Sequence, residues 1–376
     1  MQPDEWRARK LKQVLTLQRG FDLPRSQRTD GNVPVISSGG QTGWHKEAKV
    51  SSPGVVTGRY GSVGEVYYVS EDFWPLNTTL FVSDFRGNYP KYIFYLLKSL
   101  DFRRFSDKTG VPGVNRNDLH LIRVSHPPLP EQKEIAEILS TWDEAIDQTR
   151  RLIDAKMRRK KALMQQLLTG KKRLPGFDRP WEECKLSQLL QPRNTCSEIT
   201  TNLPLYSLTI ENGITPKTDR YDRQALVKNK ETKQYKKVYP NDIVFNPSNL
   251  RWGAIARSKV GFEVLVSPIY EVLSVSHASR CHPVFLSELL CSENQIRMFA
   301  ARVEGTLVER MAVKLNVFLT TRVTIPADFV EQKKIARVLS SADKEIRVLI
   351  ERLTALEKQK RGLMQKLLTG EVRVKT

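Results

Sequence analysis

Apolar residues recur in alternating steps of four and three along two stretches, 131–170 and 331–370. That period predicts one long helix for each, with a single apolar seam. The first seam runs through Ile135, Leu139, Trp142, Ile146, Thr149, Ile153, Lys156, Lys160, Leu163 and Leu167. The second runs through Ile335, Leu339, Ala342, Ile346, Leu349, Leu353, Leu356, Lys360, Leu363 and Leu367. Glu131 and Glu331 suit the positive N-terminal end of a helix, and Thr169-Gly170 and Thr369-Gly370 supply a glycine stop. Each helix would measure roughly 57 Å at 1.5 Å per residue. Alone it would leave a strip of aliphatic side chains in water, so the seams predict a coiled coil between the two.

The two stretches are copies. At an offset of 200 without a gap, these 40-residue blocks share 18 identities, among them EQK at the start and LMQ-x-LLTG at the end. Heptads alone fit a dimerisation rod or a repeat-protein core equally well. Here the repeat separates two non-helical segments of similar size, which makes the helices a spacer between two working domains.

Outside the helices the pattern shortens. VPVISS, GVVTG, SVGEVYYVS and TTLFVS in the first half are β-branched or aromatic runs cut by Gly, Pro and Asn, and predict strands. LYSLT, DIVFN, GAIAR, EVLVS and YEVLSV predict strands in the second, and DLHLIRV at 118–124 reads as another. One helix is expected from Pro90 to about Phe105, and its counterpart from about Val284 to Ala301. Trp6, Lys10 and Leu11 open the first half and Trp181, Lys185 and Leu186 the second, both as W-x-x-x-K-L. The second half is about 25 residues longer between its tryptophan and its EQK. The expected fold class is α+β with an internal repeat. The expected layout is domain 1–130, helix 131–170, linker 171–180, domain 181–330, helix 331–370 and tail 371–376.

Charge narrows the partners. The net charge is +20, spread as +6, +4, +4 and +6 over 1–130, 131–173, 174–330 and 331–376. Two moderately basic modules point to nucleic acid rather than a membrane surface. No apolar run approaches 18 residues and the start lacks a signal-peptide core, so a cytoplasmic chain without a membrane association is expected. Cys184, Cys196, Cys281 and Cys291 form no C-x-x-C pair, which predicts ordinary thiols and no metal site.

Catalytic motifs are missing: there is no phosphate loop, no G-x-G-x-x-G and no H-E-x-x-H. Asn246-Pro247-Ser248-Asn249 and His126-Pro127-Pro128-Leu129 approach the amino-methyltransferase tetrapeptide, but each lacks residues that hold and stack a flipped base, and both are read as turns. His45, His120, His126, His277 and His282 show no ligand spacing and are expected to be structural or at the surface.

Binding chemistry is better represented. From Lys217 to Lys237 eight cations, including Lys217, Arg220 and Arg223, alternate with Tyr221 and Tyr235, which suits phosphate contacts; a solvated loop is the alternative. Gly58-Arg59-Tyr60-Gly61 and Asn249-Leu250-Arg251-Trp252-Gly253 each place an arginine beside an aromatic and a glycine. Arginine reads guanine and asparagine reads adenine, so Arg59, Tyr60, Asn249, Arg251 and Trp252 are DNA-contact candidates, with plain hairpins the competing reading. Lys108, Asn115 and Arg116 are candidates on the polar loop before DLHLIRV.

P-P-L-P-E-Q-K-x-I-A-x-I-L at 127–139, L-M-Q-Q-L-L-T-G at 163–170 followed by R-L-P-G-F, and the second copies E-Q-K-K-I-A-R-V-L and L-M-Q-K-L-L-T-G resemble the specificity subunits of type I restriction-modification systems. GRYGSVG and RWGAIARS resemble turns of that family's target-recognition domains. The resemblance implies two target-recognition domains, each reading half of a split, asymmetric DNA site, separated by an antiparallel pair of conserved helices. It implies a half-site separation of at most about 17 base pairs. It implies two methyltransferase subunits docked on these helices, and restriction-translocase subunits as further partners; Ile135, Leu139, Trp142, Ile146, Ile153, Leu163, Leu167, Ile335, Leu339, Ile346, Leu353, Leu363 and Leu367 are the candidates for helix pairing or partner docking. It implies no cofactor on this chain, with S-adenosylmethionine, ATP and Mg on the partners, and a role in host defence without catalysis. Rivals from other classes are a stand-alone DNA-binding regulator and a self-contained DNA-modifying enzyme.

Overall fold

The run Gly54–Gly58 is buried throughout and lies inside a four-stranded antiparallel sheet, where a strand covered on both faces favours small and β-branched residues, here Val55, Val56 and Thr57 between glycines. A computed structural model describes residues 6–106, 113–217, 234–276, 281–304 and 311–375. The sheet order is Thr16–Arg19, Thr79–Asp84, Gly54–Gly58, Val66–Val69. Gly40–His45, Val33–Ser37 and Trp74–Pro75 form a second, three-stranded sheet. The opening strand Arg7–Lys10 pairs antiparallel with Arg123–His126, so the first domain is closed by its own two ends.

The second half repeats this plan. Its four-stranded sheet runs Leu190–Pro192, Glu271–Val275, Ile243–Phe245, Ile255–Arg257, the same order of equivalent strands. Trp181–Lys185 pairs with Arg322–Pro326 as the closing pair. A hairpin of Tyr206–Thr209 and Gly213–Pro216 accounts for part of its extra length.

Three expectations need correcting. The first-half helix stops at Ser99 and a 3-10 turn takes over from Phe102 to Phe105, so Leu100 is outside it. The second-half helix is two, Pro283–Leu290 and Glu293–Ala300, because Ser292 turns extended and its hydroxyl caps Gln295 N–H. The segment read as a strand at 118–124 begins as the helix Arg116–His120, and only Arg123 onward is extended. Leu119 there is fully buried, and a single helical turn points it inward without a ladder.

The long helices are Leu129–Leu167 and Phe329–Thr369. The chain divides into two units, one of Met1–Arg151 with Ile350–Thr376 and one of Leu152–Leu349. Each unit therefore holds one sheet domain, the start of the helix that follows it and the end of the other helix. In the first unit, ion pairs join Glu131 to Arg373, Asp143 to Lys360 and Arg150 to Glu357, so the two helical segments run antiparallel. In the second, Glu331 meets Arg173, Asp343 meets Lys160 and Glu345 meets Lys156.

The seam is divided between two jobs. Ile135, Leu139, Leu363 and Leu367 pack with Leu11, Tyr92 and Leu97 in the core of the first unit. Ile335, Leu339, Leu163 and Leu167 do the same with Leu186, Phe285 and Phe318 in the second. Ile146 and Ile153 are buried farther along, while Trp142, Ile346 and Leu353 are half-buried. The ends of each seam thus anchor a domain, and the middle remains for helix pairing.

Candidate nucleic-acid interface

Each four-stranded sheet has one hairpin that carries an arginine, an aromatic ring and a left-handed glycine in succession. In the first unit it links Gly54–Gly58 to Val66–Val69. A Cβ on Gly58 would lie 2.0 Å from Ser62 O, and Gly61 has φ +76°, so both positions require glycine. The backbone N–H groups of Arg59 and Tyr60 both donate to Thr78 O, which turns the loop against the sheet edge. The Arg59 guanidinium lies 4.5 Å over the Tyr60 ring, an arrangement that orients it.

The equivalent hairpin in the second unit links Ile243–Phe245 to Ile255–Arg257. A 3-10 turn at Leu250–Trp252 ends at Gly253, φ +95°. Arg251 lies 5.1 Å over the Trp252 ring and its Nη1 donates to Met311 Sδ at 3.1 Å. Trp252 is 64% exposed, a large ring left in water beside a cation. Asn249 is exposed at the start of the turn.

In both units this loop meets the segment ahead of the short helix. Val114 N–H donates to Arg59 O and Gly113 presses on the Tyr60 ring, where a Cβ would sit at 2.5 Å; Val313 N–H donates to Pro247 O. The structure therefore brings Asn115 and Arg116 beside Arg59 and Tyr60. The Asn115 carboxamide oxygen already accepts Asn117 N–H and caps the helix Arg116–His120, while Arg116 is exposed.

Lys108, Arg220 and Arg223 lie outside the described residues, as do Tyr221 and His277. Lys217 is exposed beyond the strand Gly213–Pro216. Lys236 and Lys237 belong to the strand Tyr235–Val238 and pair with Glu271 and Glu263, so they are not the open loop cations that the sequence suggested.

Ser38 and Tyr67 escaped the sequence reading. The Tyr67 hydroxyl donates to Ser38 O, and Ser38 stands against both Gly58 and Gly61. They flank the Arg59 loop through tertiary contact, and only the glycine-rich run after Ser38 hinted at a turn there.

Histidine chemistry is structural. His120 Nε2 accepts Leu17 N–H at 2.9 Å, so the ring is neutral, and burial with Arg116, Arg86 and Lys12 nearby lowers its pKa. His45 Nδ1 accepts Thr29 N–H. No group of three or more His, Cys, Asp or Glu that could hold a metal occurs among the described residues. Burial pushes the Cys281 thiol up to about 12, which makes it inert.

The family described as the type I restriction modification DNA specificity domain, Methylase_S, matches residues 3–155. Over that span the chain is similar to the specificity proteins of type I restriction-modification systems. Two specificity subunits from Methanocaldococcus jannaschii are similar to it. The type I restriction enzyme MjaVIII specificity subunit is 26% identical over 319 aligned positions, covering 76% of this chain and 70% of that protein. The putative MjaX specificity subunit is 22% identical over 320, covering 76% and 69%. Among solved structures, the S subunit of a type I restriction-modification system from M. genitalium shares the fold at TM-score 0.65 and 15% identity, with 98% of this chain and 97% of that one covered. That match ends at residue 155, and the second half repeats the first at an offset of 200 residues and in its sheet order.

Proposed function

We propose that this specificity subunit reads a bipartite, asymmetric DNA sequence through two unlike recognition domains, taken as residues 1–130 and 181–330. It is a non-catalytic component that acts in a complex with other subunits and DNA. The observation that carries the reading is the arginine–aromatic–glycine loop on the same hairpin of both sheets. A guanidinium held over a ring offers paired donors to guanine, and an exposed Trp252 offers a surface for sugar or methyl contacts. Arg59, Tyr60, Asn115 and Arg116 serve one half-site; Asn249, Arg251, Trp252 and Lys217 serve the other. Lys108, Arg220 and Arg223 complete the set.

The rest of the proposal concerns partners. Two methyltransferase subunits bring S-adenosylmethionine and adenine methylation, restriction-translocase subunits bring ATP and Mg, and the assembly works in the cytoplasm. The seam residues Trp142, Ile346 and Leu353 take part in helix pairing or partner docking. No helix among the described residues is long and apolar enough to cross a membrane.

The test is long-read mapping of N6-methyladenine in cells carrying the cognate methyltransferase with and without this chain. One two-part motif is expected only when the chain is present. Arg251→Ala should weaken binding by about 1–3 kcal/mol and relax one half-site while the other stays as in wild type. Methylation that is independent of the chain would overturn the assignment.

A further inference from the structure

In the first unit, the end of the second long helix and the helix Pro90–Ser99 enclose a cavity of about 590 Å³. Its apolar floor includes Leu100, Met364 and Leu368, and its rim carries Lys98, Arg123 and Arg361. The acids on neighbouring turns are engaged elsewhere: Asp101 with Arg104, Glu357 with Arg150 and Glu371 with Lys366. Among the described residues, no carboxylate pairs with any of the three rim cations. Burial, with Lys360 close by, lowers the Lys98 pKa against the opposing effect of Asp143 and Glu65, neither of which forms an ion pair with it.

The second unit shows what suits this place. At the offset of 200, Lys161, Met164 and Leu168 line a corresponding cavity of only about 50 Å³. Ser292, Glu293 and Asn294 line it as well, with Glu293 Oε2 2.9 Å from Lys161 Nζ. Counted from the proline that opens each cross-helix, Leu100 stands where Glu293 stands. The second unit therefore supplies its own carboxylate, and the first has an aliphatic residue there and a wide opening.

We propose that the cavity bounded by Lys98, Arg123 and Arg361 is a docking site for an acidic segment of a partner protein. The segment presents a carboxylate to Arg361 and an aliphatic side chain to the Leu100, Met364 and Leu368 floor. The second unit has only the small cavity with Glu293 at that place, so this docking distinguishes the two halves of the internal repeat. A bare phosphate would satisfy the rim but leave the apolar floor wet, which favours peptide over nucleic acid. The inference stands apart from the DNA-reading loops.

The test is fluorescence anisotropy of a labelled acidic peptide, SENLLEALE, titrated with the full chain. Saturable binding is expected. It should weaken about tenfold or more in Arg361→Glu and Arg361→Gln, and also in Leu100→Glu, which brings the missing carboxylate in cis. Lys161→Gln, at the filled site, should leave binding unchanged, with thermal melts confirming that each variant is folded. Absence of saturable binding overturns the proposal. So does insensitivity to both Arg361 variants, or equal displacement by inorganic phosphate or by non-target duplex DNA at matched ionic strength.

Discussion

The glutamate and glutamine of each EQK motif tie three elements together. Glu131 accepts from Trp6 Nε1 at 3.0 Å and from Arg373, while Glu331 accepts from Arg173 Nε and Nη2 at 2.7 and 2.8 Å. Gln132 accepts Tyr89 N–H and donates to Pro127 O; Gln332 accepts His282 N–H and donates to Pro326 O. Tyr89 and His282 are the residues just before the proline that opens each cross-helix, so the glutamine satisfies a donor that the helix start leaves over. Glu331 is 1% exposed in its side chain. Glu331→Gln should therefore cost about 3 kcal/mol, at the lower end for a broken buried pair because Arg173 keeps contact with water. A urea titration that follows the second unit measures it, and a loss below about 0.5 kcal/mol would show the pair to be ornamental.

Protonation works in two ranges. Burial opposes the charged forms of Glu131 and Asp143, but Arg373 and Trp6 in one case and Lys360 and Tyr95 in the other outweigh it and hold both carboxyls below their ordinary values. Their stabilisation is complete above the ordinary values of 4.5 and 3.8 and is lost as the pH falls through the depressed ones. The neutral His120, His126 and His282 have lowered pKa values, chiefly through burial, so the unfolded chain binds protons first. Stability should begin to fall as the pH drops below 6.5 and level off beneath the folded values. His120→Gln keeps an acceptor for Leu17 N–H without titrating, and urea midpoints measured across this range should fall less steeply for it than for wild type.

At the scale of the element, a helix seam interrupted by charge has a fixed register. Lys360 is 10% exposed and sits 2.5 Å from Asp143, whose other oxygen accepts the Tyr95 hydroxyl at 2.7 Å. In the second unit Lys160 faces Asp343 at 2.7 Å and Glu288 at 3.5 Å, and the two carboxylates raise its pKa against the effect of burial. An apolar seam could slide by a heptad; a buried ammonium cannot, because the slide strands it without its carboxylate. Asp143→Ala alone should destabilise the first unit more than Asp143→Ala with Lys360→Met, by about 1–3 kcal/mol. A double-mutant cycle in urea decides this, and simple additivity would remove the register argument.

Glycine meets two local environments, one inside the second long helix and one just past its end. A Cβ on Gly370 would lie 2.8 Å from the Trp6 ring and φ is +80°, whereas nothing lies within 4 Å of one on Gly362. Gly362→Ala should stabilise the helix by roughly 0.5–1 kcal/mol, and Gly370→Ala should destabilise it. Thermal melts of the two variants should shift in opposite directions.

At the scale of the whole molecule, the first unit needs both ends of the chain. Leu367 and Leu368 lie in the same core as Leu11, Ile135 and Leu139, and Arg373 closes on Glu131. The second unit, Leu152–Leu349, contains all of its own segments. A chain ending at residue 349 should lose the cooperative melt of the first unit and retain that of the second. Hydrogen exchange would report this as loss of protection around Tyr92 and Leu97 with protection kept around Phe285 and Phe318; uniform loss would contradict it.

The 200-residue repeat, the seam period, the basic charge and the paired W-x-x-x-K-L openings were written in local sequence. They determined two long helices and two α+β halves, because periodicity and copying depend only on the order of residues, and the charge pointed to a polyanionic partner. The arginine–aromatic–glycine loops and their correspondence could be suspected from spacing, but the strands that carry them could not be matched. Placing Arg59 and Arg251 on the same hairpin required knowing that Gly54–Gly58 corresponds to Ile243–Phe245 across unlike loop lengths. Tertiary packing decided the short helix at Arg116–His120, the break at Ser292, and the approach of Ser38 and Tyr67 to the Arg59 loop. It also decided that each helix end completes a different domain's core. Contacts such as Trp6 with Gly370 join residues at opposite ends of the chain, and no local pattern records which distant surface will bury a side chain.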